Sequence, residues 1–189
     1  MKLKALTAAF SAAILTVSAG AFTAFAADVE INDVNFPDDI FRVYVSENCD
    51  SNGDEVLSES EAGEVKTINV DQKTISDLKG IEYFTALTKL CCDVNQLTSL
   101  DLSKNTALTK LQCTDNQLTS LNVSGCTALT LLNCNGNQLT SLDVSKNTAL
   151  SRLECKNNQL TSLNVSGCTV LSSLYCRGNQ LTSLDLTQN

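Results

Sequence analysis

The stretch Leu87-Thr-Lys-Leu-Cys-Cys-Asp-Val-Asn-Gln-Leu-Thr-Ser-Leu-Asp-Leu-Ser-Lys-Asn-Thr-Ala107 decides the architecture of this chain. The same 21-residue unit recurs, with small changes, from Leu108, Leu129, Leu150 and Leu171. A fixed period in this range is typical of a solenoid, in which each repeat forms one coil that cannot bury its apolar side alone. We therefore expect a stack of coils that share one continuous core.

Each unit contains the frame Leu-x-x-Leu-x-Cys-x-x-Asn-x-Leu, whose centre, x-Leu-x-Cys-x, predicts a short strand. Alternation along that strand turns Leu90 and Cys92 inward. It turns Lys89, Cys91 and Asp93 outward, onto the concave side of one parallel sheet. The second half of the unit is too short and too poor in helix formers for a convex helix, so it predicts a second, shorter ladder. The Asn of each frame predicts a further ladder, whose amides bond backbone groups of their own and the next coil.

This frame, with Cys at its third apolar position, resembles the leucine-rich-repeat proteins, and among them the secreted bacterial, internalin-like kind. The resemblance covers Val65 to Asn189, with a first coil of 22 residues that has Lys73 in place of the Asn. It implies an α/β solenoid, a mainly parallel β leucine-rich-repeat stack of about six coils over residues 65–189, with little helix. It also implies protein recognition or adhesion through the concave face.

Residues 1–26 have the pattern of a secretory signal peptide. Lys2 and Lys4 are followed by a largely apolar run over Ala5–Phe22 and by the small-x-small site Ala24–Ala26. A membrane anchor is the rival interpretation, but no basic stop-transfer cluster follows, and Asp28 comes at once. We predict a protein that is secreted or displayed on the cell surface, without membrane insertion of its own.

The charge is unevenly placed: residues 27–64 hold twelve of the 21 acidic side chains and one base, Arg42, in a chain of formal net charge −8. An acidic end on a near-neutral body argues against nucleic acid and anionic lipid as partners. The chain has no His and no Trp, which excludes His-based acid–base chemistry, His-containing triads and His-liganded metals. We predict no enzymatic activity.

Residues 27–64 predict a helical acidic cap, with a helix over about Asp38–Glu47 and a short second helix over Ser60–Lys66. The loop between them resembles an EF-hand calcium loop, although Glu55 stands where such loops have glycine. The resemblance implies weak or structural calcium binding; a solvated acidic cap without metal is the alternative. The ligands that it implies are Asp50, Asn52, Asp54, the Val56 carbonyl, Ser58 and Glu61.

Nine cysteines in a secreted chain first suggest disulfides, but the repeat spacing favours a column of buried thiols with parallel Cβ vectors. Cys126 and Cys168 lie two coils apart, too far to bridge. We expect Cys91 to be the accessible thiol of the repeats and Cys49 to have a pKa raised by the acidic loop. The odd count leaves an intermolecular disulfide open.

Outward strand residues of the last coils predict a binding site on the concave face, where Arg152, Tyr175 and Arg177 come close together. A protein ligand is the first choice and a glycan the second; ordinary variable surface is the alternative interpretation of these residues. The alternative interpretation of the whole chain is a structural spacer, or a truncated piece of a larger surface adhesin, with no ligand of its own. The repeats also end without a polar cap, which allows self-association there. The candidate ligand-binding residues are Lys110, Arg152, Glu154, Lys156, Tyr175 and Arg177.

Overall fold

Six short strands, one from each coil, pair in parallel into a single sheet in the computed structural model, which describes residues 28–189. The predicted signal peptide therefore lies outside the described residues. The strands of this sheet are β3 (Thr67–Asn69), β4 (Lys89–Cys91), β6 (Lys110–Gln112), β8 (Leu131–Asn133), β10 (Arg152–Glu154) and β12 (Ser173–Tyr175). Each neighbour is one repeat away, as in the pairing of Leu111 with Leu132. The predicted solenoid, with little helix, is confirmed.

Alternation along these strands builds the core. Leu90, Leu111, Cys92 and Cys113 are fully buried, and their counterparts in the next two coils are buried in the same way. In the coil of residues 171–189 Leu174 is only partly buried. The hydrophobic core is therefore a column that runs the length of the stack.

The far side of the stack has a second ladder, as predicted, but it is interrupted. Four further strands form two separate pairs: β5 (Ser99–Asp101) with β7 (Ser120–Asn122), and β9 (Ser141–Asp143) with β11 (Ser162–Asn164). Between β7 and β9 there is instead a shallow cleft of about 440 Å³ that includes Asn122, Asp143 and Lys146.

Glycine permits the close approach of the two coils within each pair. A Cβ at Gly125 would overlap the carbonyl oxygen of Ser103, and one at Gly167 would overlap that of Ser145, so both coils approach their predecessors where only glycine fits. Lys104 and Lys146 occupy the same repeat position in the other coils. The convex strands therefore pair in two-coil units, and in each unit the later coil carries the glycine.

The Asn ladder forms, with one difference from the prediction. The Asn116 amide nitrogen donates to the Cys92 carbonyl at 2.9 Å and to the Cys113 carbonyl at 3.3 Å. Its amide oxygen accepts from the backbone of Leu97 at 3.1 Å. The bonds reach the preceding coil, not the following one, because the side chain points back toward the cap.

A second polar ladder lies under the convex side. Asn147 donates to the carbonyls of Val123 and Cys126, both at 2.9 Å. In the coils between, the thiols of Cys126 and Cys168 take this place and contact the carbonyls of Leu102 and Val144, each at 3.2 Å. These two cysteines therefore replace an amide donor.

The cap at the start of the stack contains helix α1 (Asp39–Asn48), helix α2 (Glu59–Glu64) and a two-stranded antiparallel sheet of β1 (Val29–Glu30) and β2 (Val56–Leu57). The helix predicted over Asp38–Glu47 is present, shifted by one residue. A 3-10 turn, Ile81–Tyr83, ends the first coil. No helix within residues 28–189 is long and apolar enough to cross a membrane.

The cap is tied to the first coil by its own helix-capping residue. Asp38 accepts hydrogen bonds from the backbone of Ile40 and Phe41 with one carboxylate oxygen, at 3.0 Å each. The other oxygen accepts from the backbone and hydroxyl of Ser76, at 2.8 and 3.0 Å. Phe36 is fully buried and continues the core into the cap.

Candidate binding surface

The end of the sheet farthest from the cap holds a cluster of charged and aromatic side chains. We call Arg152, Glu154, Lys156, Tyr175 and Arg177 the concave patch. Parallel pairing sets Glu154 of β10 opposite Tyr175 of β12. The Tyr175 side chain is 40% exposed, so its ring is accessible from the concave side.

Two cations lie over the Tyr175 ring. The Arg152 guanidinium carbon is 5.3 Å from the ring centroid, and the Lys156 ammonium nitrogen is 4.7 Å from it. Both distances are within the range of a cation–π interaction. The sequence predicted Arg152, Tyr175 and Arg177 as the close group. In the structure Arg152 lies at the ring as predicted, and the second cation there is Lys156 rather than Arg177.

Glu154 partly neutralises this cluster. The Arg152 Nε donates to Oε1 of Glu154 at 2.8 Å, and Nη2 of the same guanidinium is 2.7 Å from that oxygen. Asn135 donates to the second carboxylate oxygen at 3.2 Å. Burial alone would raise the pKa of Glu154, but the hydrogen bonds from Arg152 and Asn135 hold it below its ordinary value.

The remaining cations of the patch are not neutralised in this way. Within residues 28–189 the only ion pairs are Arg42 with Asp39 and Arg152 with Glu154, so neither Lys156 nor Arg177 has a carboxylate partner there. Lys110 lies on the same face, but Leu131 of β8 separates it from Arg152. The structure therefore leaves Lys110 outside the patch.

A gradient of charge runs along one column of the concave face, from acidic near the cap to basic at the far end. Its members each follow a strand by two residues, and we call them the third column: Asp71, Asp93, Thr114, Asn135, Lys156 and Arg177. The coil-by-coil comparison of these positions was the signal in the sequence that could have revealed the gradient.

Hydrogen bonds from backbone to side chain join three of the five neighbouring pairs in the third column. Asp71 accepts from the backbone of Asp93 at 2.7 Å, Asp93 from that of Thr114 at 2.6 Å, and Asn135 from that of Lys156 at 2.6 Å. Partial burial raises the pKa of Asp93, and the nearby carboxylates of Asp71 and Asp115 add to the rise. The carboxylates at the acidic end thus accept hydrogen bonds from the neighbouring coil, whereas the side chains at the basic end face solvent.

Backbone N–H groups of the loop predicted to bind calcium donate to the loop's own side chains. Glu55 has φ of +63°, the left-handed conformation for which such loops use glycine. Asp50 accepts from the backbone of Gly53 at 2.8 Å and of Glu55 at 2.9 Å. The side-chain oxygen of Asn52 accepts from the backbone of Asp54 at 2.9 Å, and Asp54 accepts from that of Val56 at 3.0 Å.

Glu61 closes this loop from helix α2. One of its oxygens accepts from the backbone and hydroxyl of Ser51, both at 2.8 Å, and the other from the backbone and hydroxyl of Ser58, at 3.0 and 2.7 Å. The bonds from Ser58 and Ser51 lower the pKa of Glu61 to about 2. The donor types suit calcium, but within residues 28–189 no three His, Cys, Asp or Glu side chains are grouped to hold a metal.

One prediction about the thiols is wrong, and another is right in direction but has a different cause. Cys91 is 4% exposed; its outward position is covered, and its sulfur contacts the Gln112 side chain at 3.5 Å. Cys176, in the last coil, is the partly exposed thiol, since all other cysteines are buried. The pKa of Cys49 is raised to about 11, but burial is the cause, not the acidic loop. All nine thiols are unpaired.

Comparison with known proteins places these features in a family. A model described as the leucine-rich-repeat domain of the endo-β-N-acetylglucosaminidase EndoS matches residues 36–158. Internalin J of Listeria monocytogenes serotype 4b is 43% identical over 71 residues, which are 38% of this chain and 8% of that protein.

Solved structures agree. The functional domain of InlJ from Listeria monocytogenes, described as including a cysteine ladder, superposes with a TM-score of 0.52 at 33% identity, over 87% of this chain and 46% of that one. A leucine-rich-repeat protein of Leptospira interrogans gives 0.58 at 26% identity, over 68% and 36%. An internalin (InlF) of Listeria monocytogenes gives 0.64 at 23% identity, over 84% and 48%, which supports the fold alone. The chain spans less than half the length of each of these proteins.

Proposed function

Because this chain belongs to the leucine-rich-repeat family represented by the EndoS repeat domain, we propose that it is a recognition module, binding a protein ligand through its concave face. A glycan is the second choice of ligand. Its relatives include internalins, and leucine-rich repeats of that kind generally serve protein–protein interaction. The proposal assigns binding, not catalysis, to the stack.

One observation carries the proposal. The inward positions of the coils are nearly identical, whereas the outward positions of the sheet differ from coil to coil, and the concave patch gathers cations around an exposed tyrosine. Tyr and Arg are enriched among the residues that dominate protein interfaces. Solenoids present their binding surfaces on the concave side.

Partner capture tests this proposal. The immobilised protein is exposed to surface and extracellular extracts beside an Arg152→Ala/Tyr175→Ala/Arg177→Ala variant. These side chains lie on the surface, so we expect the variant to keep its fold and to lose a specific partner that the unmodified protein retains.

A convex-face variant, Lys104→Ala/Lys146→Ala, is the matched control because it removes two positive charges, as the concave variant does. It is expected to retain the partner. Equal capture by all three proteins would refute recognition through the concave patch and would favour the structural-spacer interpretation. Binding of a second copy of this protein by the immobilised protein would favour self-association through the last coil.

We also propose that the protein acts outside the cytoplasm, after removal of residues 1–26. The support is the charge and hydropathy pattern of these residues and the internalin relatives. Mass spectrometry of the protein recovered from the culture medium tests it: an N-terminus at Ala27 is expected, and an uncleaved chain retained in the cells would contradict it.

Weak calcium binding by the acidic loop is a separate proposal. It rests on the donor types and on the left-handed turn at Glu55. The residues that would hold the ion are Asp50, Asn52, Asp54, the Val56 carbonyl, Ser58 and Glu61, and the ion would brace the cap. Calorimetric titration is expected to show a Kd of about 0.1–1 mM that is lost in Asp50→Ala; no heat of binding in this range would contradict it.

A further inference from the structure

We infer that the concave patch is a carboxylate-recognising site and that the ligand segment docking there is an acidic stretch of polypeptide. This inference rests on the proposed function, and it names the chemistry of the partner at one place on the concave face. Three cations, Arg152, Lys156 and Arg177, stand there against one carboxylate, Glu154.

The chain's own Glu154 shows how the patch holds a carboxylate. A single Glu154 oxygen lies on the Nε and Nη2 edge of the Arg152 guanidinium, while Arg152 covers the Tyr175 ring. The guanidinium has five N–H donors, and its Nη1 group has no partner within residues 28–189. Its side chain is 48% exposed, against 13% for Glu154, so a second carboxylate can approach the open edge.

The two other cations extend the site. Lys156 lies over the same ring, and Arg177 follows it in the third column, one coil away. Neighbouring coils of a parallel sheet lie about 4.8 Å apart, so carboxylates of one extended segment can reach both. The Tyr175 ring provides apolar contact between them, which favours a polypeptide over an evenly charged polyanion.

The net negative charge of the whole chain does not prevent this. Most of the acidic side chains lie in the cap, and the first and last strands of the sheet are separated by five coil spacings, about 24 Å. That distance is about three Debye lengths at physiological ionic strength, where the Debye length is about 8 Å. The cap's repulsion is therefore largely screened at the patch, and the local cations determine which ligands bind.

Glu154 then acts as a competitor built into the site. It occupies one edge of Arg152 and repels an incoming carboxylate. Replacing it by glutamine keeps the shape and one oxygen that can accept from Arg152, and it removes the charge. The structure therefore predicts that Glu154→Gln binds an acidic segment more tightly than the unmodified protein does, which a merely structural role for Glu154 would not produce.

The test measures fluorescence anisotropy of a labelled glutamate-rich peptide and of a lysine-rich peptide of the same length, near physiological salt. We expect the glutamate-rich peptide alone to bind. Its affinity should rise about threefold to tenfold in Glu154→Gln and fall by a similar factor in Arg177→Ala. Lys110→Ala, on the same face but outside the patch, should leave the affinity unchanged.

Preference for the lysine-rich peptide, weaker binding by Glu154→Gln, or equal losses in Lys110→Ala and Arg177→Ala would each overturn the inference. Binding of a sulfated polysaccharide in place of the glutamate-rich peptide would also overturn it. Partner capture that depends on the concave patch, without binding of the acidic peptide, would leave the proposed function standing and refute only this inference. Binding of the acidic peptide without any captured partner would support carboxylate recognition at the patch and would count against the proposed recognition of a surface or extracellular protein.

Discussion

Replacement of Asn137 by alanine tests how the coils are held together. Asn137 is 7% exposed. Its amide nitrogen donates to the carbonyls of Cys113, Cys134 and Asn135 at 2.9, 3.1 and 3.2 Å, and its oxygen accepts from the backbone of Leu118 at 2.9 Å. Alanine would leave the Leu118 N–H inside the stack without a partner and would remove one of the two bonds to the Cys113 carbonyl.

The magnitude follows from the number of backbone groups left unpaired. Each buried, unsatisfied polar group costs about 1–3 kcal/mol. Only the Leu118 N–H is left without a partner, because the Cys113 carbonyl keeps its bond from Asn116. With the lost hydrogen bonds included, Asn137→Ala is expected to lower the free energy of unfolding by about 2–4 kcal/mol. The carbonyls of Cys134 and Asn135 keep bonds from Asn158 and from the backbone of Asp115.

The matched control is Asn179→Ala in the last coil. Asn179 makes equivalent bonds to Cys155, Cys176 and Leu160, but it is only partly buried. Water can replace the lost bonds there, so a cost of about 1 kcal/mol is expected. Urea unfolding followed by circular dichroism measures both. Equal losses in the two variants would refute the view that buried amide bonds between coils stabilise the stack.

Three further predictions concern backbone strain, close packing and pH. Val94→Gly should stabilise the protein by about 1 kcal/mol, because Val94 has φ of +55° and is 49% exposed; Val170→Gly, at an exposed valine without positive φ, should destabilise it in the same urea assay. Gly125→Ala should destabilise the protein by about 2 kcal/mol or more, because the new Cβ would overlap the preceding coil. Its control, Gly63→Ala, lies in a helix with open space around it and should stabilise the protein slightly. A smaller loss at Gly125 than at an ordinary surface site would contradict the two-coil packing. The pKa of Glu61 is lowered in the folded state to about 2, so its contribution is present above pH 4.5 and is lost as the pH falls toward 2; Glu61→Gln should flatten the stability profile in that window, and an unchanged profile would contradict the hydrogen bonding described here.

The repeat period made most of the fold predictable. A strict 21-residue unit with apolar residues at fixed positions determines which side chains enter the core, and Leu90 and Cys92 lie where alternation predicts. The interruption of the convex ladder was not predicted, because the distance between neighbouring coils, including the close approach at Gly125 and Gly167, is a contact between coils that one coil considered alone does not show.

The candidate site was only partly predictable. Strand register places Arg152, Glu154 and Tyr175 near one another, but the pairing of Arg152 with Glu154 and the position of Lys156 over the ring depend on side-chain rotamers. The same limit explains the error at Cys91. Alternation gives the direction of a side chain, but not whether its neighbours, here Gln112 among them, cover it.

The dissociation constant of the captured partner, measured for three proteins at one salt concentration, is the most direct test of recognition through the concave face. We expect the Arg152→Ala/Tyr175→Ala/Arg177→Ala variant to bind at least about 100-fold more weakly than the unmodified protein, since interface anchors of this kind are worth about 2 kcal/mol or more each. The Lys104→Ala/Lys146→Ala variant should match the unmodified protein within about twofold, as expected for charges outside an interface. Unchanged affinity in the concave variant, or an equal loss in both, would contradict recognition through the concave face.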